Sequence, residues 1–306
     1  VTQIEPGIDN QITIDSLTGD IVWNAPQKAG EYNIAILIRE YRNGQQIGSI
    51  VRDMQILVEE CENLPPVVEV PFDEVCVIAG NVLEFDVRAT APLSEDEQLV
   101  RLTALGGPFE VTYGPATFTP NTETFEEDPV VKTFRWDVPC EAISAQFYQV
   151  VFKATDNGFG DTTGLATLKT VRIKVVGPPP EDVQAEPQSN EVNVSWQMPY
   201  ACEDTENNYF RGFTVWRREG SANFVRDTCT PGLDGSGYTK LFNVPIMDTE
   251  DGRYIYTDTD VERGRTYCYR ILAELRSPLR LAALPTTPWK ASPRIPSVCS
   301  SIGISR

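Results

Sequence analysis

Val192-Asn193-Val194-Ser195-Trp196-Gln197-Met198-Pro199 alternates apolar and polar side chains from Val192 to Gln197 and then stops at a proline. Side chains of an extended chain point to opposite faces in turn, so this spacing describes a strand with one face in a core. Pro199 has no amide to give to a ladder, and it ends the run. Downstream, Phe213-Thr214-Val215-Trp216-Arg217-Arg218 and Tyr256-Thr257-Asp258 are rich in aromatic and β-branched residues, and so is Thr266-Tyr267-Cys268-Tyr269-Arg270-Ile271-Leu272-Ala273. Upstream, Gln149-Val150-Val151-Phe152-Lys153-Ala154-Thr155-Asp156-Asn157-Gly158 runs the same way into an Asn-Gly turn signal. Helix-period stretches are almost missing between these runs, and Gly, Pro, Asn and Asp clusters separate them. The sequence therefore predicts an all-β chain.

The chain has 306 residues, 41% of them hydrophobic, which supplies cores for two or three domains. A formal net charge of −18 gives a surface that repels nucleic acid and anionic lipid headgroups. Seven cysteines occur, at 61, 76, 140, 202, 229, 268 and 299, with no Cys-x-x-Cys pair and no histidine anywhere. Zinc spacing is absent, and the pattern reads as a disulfide framework made in an oxidising compartment. No run of eighteen apolar residues is present, so direct membrane insertion is not expected. Val1 opens into polar, strand-like sequence without the regions of a signal peptide, and the expectation is that the chain was processed or cut.

Leu64-Pro65-Pro66 and Gly177-Pro178-Pro179-Pro180 divide the strand pattern, because proline runs end sheets and form stiff, extended connectors. The expected division is a partial module over 1–63, a second over 64–177 and a third over 178–306. In the first, Ile36 to Tyr41 and Ile47 to Val58 flank Asn43-Gly44, the dipeptide that suits a type I′ hairpin turn. Its roughly sixty residues read as the C-terminal portion of a sandwich. In the second, runs at Val67–Val70, Cys76–Gly80, Leu83–Val87, Phe134–Trp136, Gln149–Gly158 and Val171–Val175 indicate about seven strands, the size of an immunoglobulin-like sandwich.

The second segment resembles the cadherin-like and immunoglobulin-like modules of bacterial surface proteins. The resemblance rests on Ala79-Gly80 before an alternating strand, Phe134-x-Trp136, and the strand ending in Ala154-Thr155-Asp156-Asn157-Gly158. The first segment repeats part of that pattern in Thr18-Gly19-Asp20-Ile21-Val22-Trp23 followed by Ala29-Gly30-Glu31-Tyr32. The third resembles a fibronectin type III domain, with Val192–Pro199 as strand B, Phe213–Arg218 as strand C and Thr266–Ala273 as strand F. That resemblance implies that Tyr267 fills the sandwich edge while its hydroxyl satisfies loop backbone. The third segment departs from the ordinary fibronectin pattern in its added cysteines and in a long stretch from 219 to 255. The combination is similar to the large gliding-motility-associated surface proteins of Bacteroidota, which carry such repeats ahead of a sorting domain for type IX secretion. The resemblance covers about two thirds of the chain, and no sorting domain lies within it.

Catalytic chemistry is hard to assemble from these residues. Without histidine, Ser-His-Asp and Cys-His arrangements cannot form. The acidic runs Glu95-Asp96-Glu97 and Glu126-Glu127-Asp128 sit among turn residues, and no phosphate-binding glycine motif occurs. Calcium would draw on Asp156, Asn157 and Asp161, but the spacing of a complete oxygen cage is missing, so no metal and no cofactor are expected. Asp15-Ser16-Leu17 and Asp161-Thr162-Thr163 fit a short bacterial O-glycosylation pattern, at Ser16 and Thr162. Trp23, Trp136 and Trp196 read as core, whereas Trp216, Trp289, Tyr200, Tyr209 and Phe210 are candidates for an exposed carbohydrate platform.

Placing each disulfide within one module predicts Cys76–Cys140, Cys202–Cys229 and Cys268–Cys299, with Cys61 left over. The alternative is Cys61–Cys140, tying the first two modules together. The resulting expectation is a non-catalytic structural or adhesive array at the outer cell surface. Its partners are other modules of the same chain, other surface proteins or glycans. The rival is a set of accessory modules from a secreted glycosidase or protease.

Overall fold

A computed structural model describes residues 12–15, 19–23, 28–42, 44–58, 63–92, 98–158, 164–203, 210–221, 232–233, 235–242, 245–275, 289–291 and 297–301. The first segment forms two small antiparallel sheets. β1 (Ile12–Ile14) pairs with β2 (Ile21–Trp23), and β3 (Gly30–Arg42) pairs with β4 (Gln45–Val58). Arg42 faces Gln45 across a two-residue connection, and Gly44 has φ 77°, the left-handed value a tight hairpin needs. Asn43 itself lies outside the described residues. The Trp23 ring meets Tyr32 edge-on at 4.8 Å, which packs the two hairpins together.

The second segment contributes β5 (Val67–Glu69), β6 (Glu74–Ile78), β7 (Val82–Thr90), β8 (Leu99–Gly106), β9 (Thr117–Thr119), β10 (Glu126–Glu127), β11 (Val130–Asp137), β12 (Tyr148–Asp156) and β13 (Ala166–Val176). Two sheets face one another, one ordered β5-β7-β11-β9 and the other β10-β8-β12-β13-β6. The ends of the segment meet in a parallel pair, Arg172↔Glu74 through Val176↔Ile78, while the other pairs are antiparallel. That order is the immunoglobulin-type sandwich. β8, β9 and β10 add to the strands expected from the sequence. β8 joins the ladder through Val100 and Leu102, both fully buried. The core between the sheets is aromatic: the rings of Phe85, Phe134 and Phe152 meet tilted or edge-on, with centroids within 6.2 Å of one another. Each such ring contributes about 1.5–3 kcal/mol on burial.

The third segment supplies β14 (Gln184–Pro187), β15 (Val192–Gln197), β16 (Phe210–Glu219), β17 (Thr239–Lys240), β18 (Thr249–Glu250), β19 (Arg253–Asp258), β20 (Thr266–Leu275), β21 (Trp289–Ala291) and β22 (Ser297–Ser301). One sheet runs β14-β15-β19-β18 and the other β17-β16-β20, with β21 and β22 both pairing to β20. The strands assigned to positions B, C and F by resemblance are β15, β16 and β20. Trp196, Phe213, Tyr254 and Tyr269 fill the space between the sheets. The Glu262 amide donates to the Tyr267 hydroxyl at 3.0 Å, which is the role expected of that tyrosine. β16 is bulged between Phe210 and Gly212, and a Cβ on Gly212 would stand 2.6 Å from the Ile246 carbonyl. The chain is thus all-β, with an immunoglobulin-like sandwich followed by a fibronectin-like one.

β20 is buried along nearly its whole length rather than on alternate residues. Its second face is covered by part of the long insertion, where Leu233 and Tyr238 join Trp216, Cys268 and Leu272 in a separate cluster. A strand buried on both faces reads as a continuous apolar run, which Tyr267 to Leu275 nearly is.

Candidate functional site

The distinctive site lies where the second and third sandwiches meet. β13 ends at Val176, and the chain passes through Gly177-Pro178-Pro179-Pro180 before β14. The sequence suggests an extended connector here, but Gly177, Pro178 and Pro180 are buried. Tyr200 explains part of this, since its hydroxyl donates to the Pro178 carbonyl at 2.8 Å while its ring stacks on Phe210 at 5.1 Å. Burial pushes the Tyr200 phenol well above the ordinary tyrosine range, so it remains a donor at physiological pH. Val138, Ala142, Ile143 and Val175 from one sandwich share a single buried cluster with Val183, Tyr200, Cys202 and Phe210 from the next.

Cys140 and Cys202 are bonded across this junction, with Cα atoms 5.6 Å apart. The expected pairs Cys76–Cys140 and Cys202–Cys229 are therefore both incorrect, and so is the alternative Cys61–Cys140. Cys140 opens a short 3-10 turn, Cys140–Ala142, and Cys202 sits in a turn after β15, 1% exposed. Packing each sandwich against the other brings two turns together that the sequence separates by 62 residues. Closing a loop of that length contributes roughly 4 kcal/mol by chain entropy, before any native-state strain. Cys268 is also disulfide-bonded. Cys299 is its partner in the β20–β22 register, although the second sulfur is not among the described side chains. Cys61 and Cys229 lie outside the described residues.

The residues considered for calcium are largely occupied by backbone. Asp156 is 1% exposed, and its Oδ1 accepts from Asn63 Nδ2 at 2.9 Å, from the Gly158 amide at 2.8 Å and from the Leu165 amide at 3.0 Å. Asn157 Oδ1 accepts from the Leu99 amide at 2.9 Å. Gln98 Nε2 donates to Asn63 Oδ1 at 2.9 Å, so a buried Gln98-Asn63-Asp156 chain ties the residue before Leu64-Pro65-Pro66 to the second sandwich. Asp156 Oδ2 and Gln98 Oε1 are buried without a protein donor. Asp161, Ser16 and Thr162 lie outside the described residues. Among the described residues, no group of three or more His, Cys, Asp or Glu side chains is placed to hold a metal ion.

Three of the five residues expected to build a carbohydrate platform are buried. Tyr200, Phe210 and Trp216 are only 4–5% exposed, because the junction covers the first two and the insertion covers the third. Tyr209 and the side chain of Trp289 lie outside the described residues. Trp136 and Trp196 are core residues as expected, at 0% and 1% exposure. The acidic run at 126–128 is structural: Glu126 pairs with Lys132 at 3.4 Å, and Asp128 Oδ1 accepts from the Ala91 amide at 3.1 Å. Nothing in the sequence singles out Lys132. Its ammonium is buried on β11 and donates to the Leu102 carbonyl at 2.9 Å, which compensates its burial.

These sheets and this junction define a class of protein, the tandem-sandwich arrays of immunoglobulin-like and fibronectin-like domains. No family model matches the chain, and no curated protein is similar to it at the level that marks a relative. Among solved structures, domains A168–A170 of titin align over 98% of this chain and 85% of that one, at 15% identity and a TM-score of 0.26. Bovine butyrophilin aligns over 78% and 99%, at 12% identity and a TM-score of 0.30. The adhesin InvE of Yersinia pseudotuberculosis aligns over 78% and 59%, at 11% identity and a TM-score of 0.27. At these scores the fold assignment rests on the order of the strands within the sheets. No helix among the described residues is long and apolar enough to cross a membrane.

Proposed function

We propose that this chain is a non-catalytic stretch of an extracellular bacterial surface protein, in which sandwiches act as spacers and adhesive faces. The observation that carries the reading is the junction, where a buried proline run, a shared core and the Cys140–Cys202 bond join two sandwiches. A joint of that kind suits a part that holds position. Disulfides fit an oxidising compartment outside the cytosol. The division into 1–63, 64–177 and 178–306, the Cys268–Cys299 pair and the likeness to gliding-motility-associated, type IX-secreted proteins belong to this proposal. Its partners are neighbouring modules, other surface proteins or glycans.

The test is direct assay of the purified chain on glycoside, ester and peptide substrates. No turnover is expected. Turnover that a single carboxylate substitution abolishes would overturn the reading.

A further inference from the structure

We propose that the Cys140–Cys202 bond is a tension bypass, which keeps β12, β13, the proline run, β14 and β15 out of the load path when the array is pulled from its ends. Force along a polypeptide follows the covalent route. Here that route reaches Cys140, crosses the disulfide and continues from Cys202. The chain between them, a sequence separation of 62, closes on itself and bears no tension. Without the bond, the same force would run through the proline run and peel the junction open. With it, the two sandwiches cannot separate at that point while the sulfur bridge lasts.

The bypass shortens the path without redirecting it. Cys140 lies at the pole where β13 ends: the Ser144 amide donates to the Val175 carbonyl, and the Ala79 amide to the Val176 carbonyl. The Gly80 amide donates to the Val138 carbonyl from the same pole. Load leaving at Cys140 therefore exits the second sandwich where it would have exited through Val176. It enters the third at Cys202, buried in the core that both share. What is relieved is the pair of strands at the centre of the larger sheet. β12 and β13 are bonded to each other from Tyr148↔Ile173 to Thr155↔Ala166, and β13 also carries the parallel ladder to β6. Neither strand is pulled directly while the strands on either side of the closed loop yield.

This inference rests on the spacer reading for its purpose, but its test does not. The full chain is attached by its two ends and stretched one molecule at a time, first under oxidising conditions and then with tris(2-carboxyethyl)phosphine. Fully extended residues span at most about 3.3–3.6 Å each, so the oxidised chain should release about 200 Å less contour length than the reduced one through this loop alone. Admitting the reductant to an already unfolded, stretched molecule should give a discrete step of that size. The step should vanish in the Cys140→Ser/Cys202→Ser variant, while the step belonging to the Cys268 disulfide persists. Should that variant fail to fold, the step in the wild-type molecule still decides, because it is read after unfolding. Equal contour lengths before and after reduction, or no step near 200 Å, would overturn the bypass. Enzymatic turnover would overturn the spacer reading and leave these lengths unchanged.

Discussion

Asp258→Ala is expected to destabilise the third sandwich by about 3–5 kcal/mol, because it leaves buried polar groups without their partner. Asp258 is 1% exposed at the end of β19. Arg217 Nη1 donates to both of its oxygens, at 3.1 and 3.0 Å, and the Tyr269 hydroxyl donates to Oδ2 at 2.8 Å. The Asp260 amide adds a bond to Oδ1 at 3.1 Å. Burial, and then the hydrogen bond to Asp258, push the Tyr269 phenol above the usual range, so it holds its proton for this bond. Arg217 also pairs with the exposed Asp260 at 3.0 Å, a contact that contributes little alone. Urea unfolding of the full chain should give a clearly lower midpoint for Asp258→Ala, with Asp258→Asn intermediate. A loss below about 1 kcal/mol would mean that this network does not brace the sandwich.

The second large effect separates two tryptophans that look alike in sequence. Trp136→Ala and Trp196→Ala should each cost about 3–5 kcal/mol, through lost transfer energy and a residual cavity. The phenylalanine substitutions should differ. Trp136 Nε1 donates to the Gly114 carbonyl at 2.9 Å, so Trp136→Phe removes a made bond as well as volume. Trp196 Nε1 is buried without an acceptor, so Trp196→Phe removes a donor that was already unsatisfied. An orphaned buried polar group costs about 1–3 kcal/mol. Trp196→Phe should therefore be the milder change by roughly that amount. Equal losses in calorimetric or urea unfolding would contradict the assignment.

Strands are legible in the sequence wherever one face is buried. Val192 to Gln197 alternates because Val192, Val194 and Trp196 face the core, and Asn43-Gly44 marks a hairpin because the turn needs positive φ. β8 stands outside the expected strands although Val100 and Leu102 alternate toward the core, and β9 and β10 are too short to carry a period. The site is much less legible. Pairing cysteines by locality assumes that each sandwich oxidises alone, whereas Cys140 and Cys202 meet only because the proline run is packed between sandwiches. Phe210 follows an Asn-rich stretch that suggests exposure, and nothing in the neighbours of Tyr200 or Trp216 marks either as buried from outside its own strand. Their burial comes from elements far away in sequence, the neighbouring sandwich and the insertion around Leu233 and Tyr238.

Peptide mapping under non-reducing conditions tests the joined junction most directly. Proteolysis of the unreduced chain, with free thiols blocked beforehand, should yield a crosslinked peptide containing Cys140 and Cys202, which reduction splits in two. A crosslink joining Cys76 to Cys140, or Cys202 to Cys229, would show instead that each sandwich is stapled separately, and it would contradict a junction locked by a bond between the two.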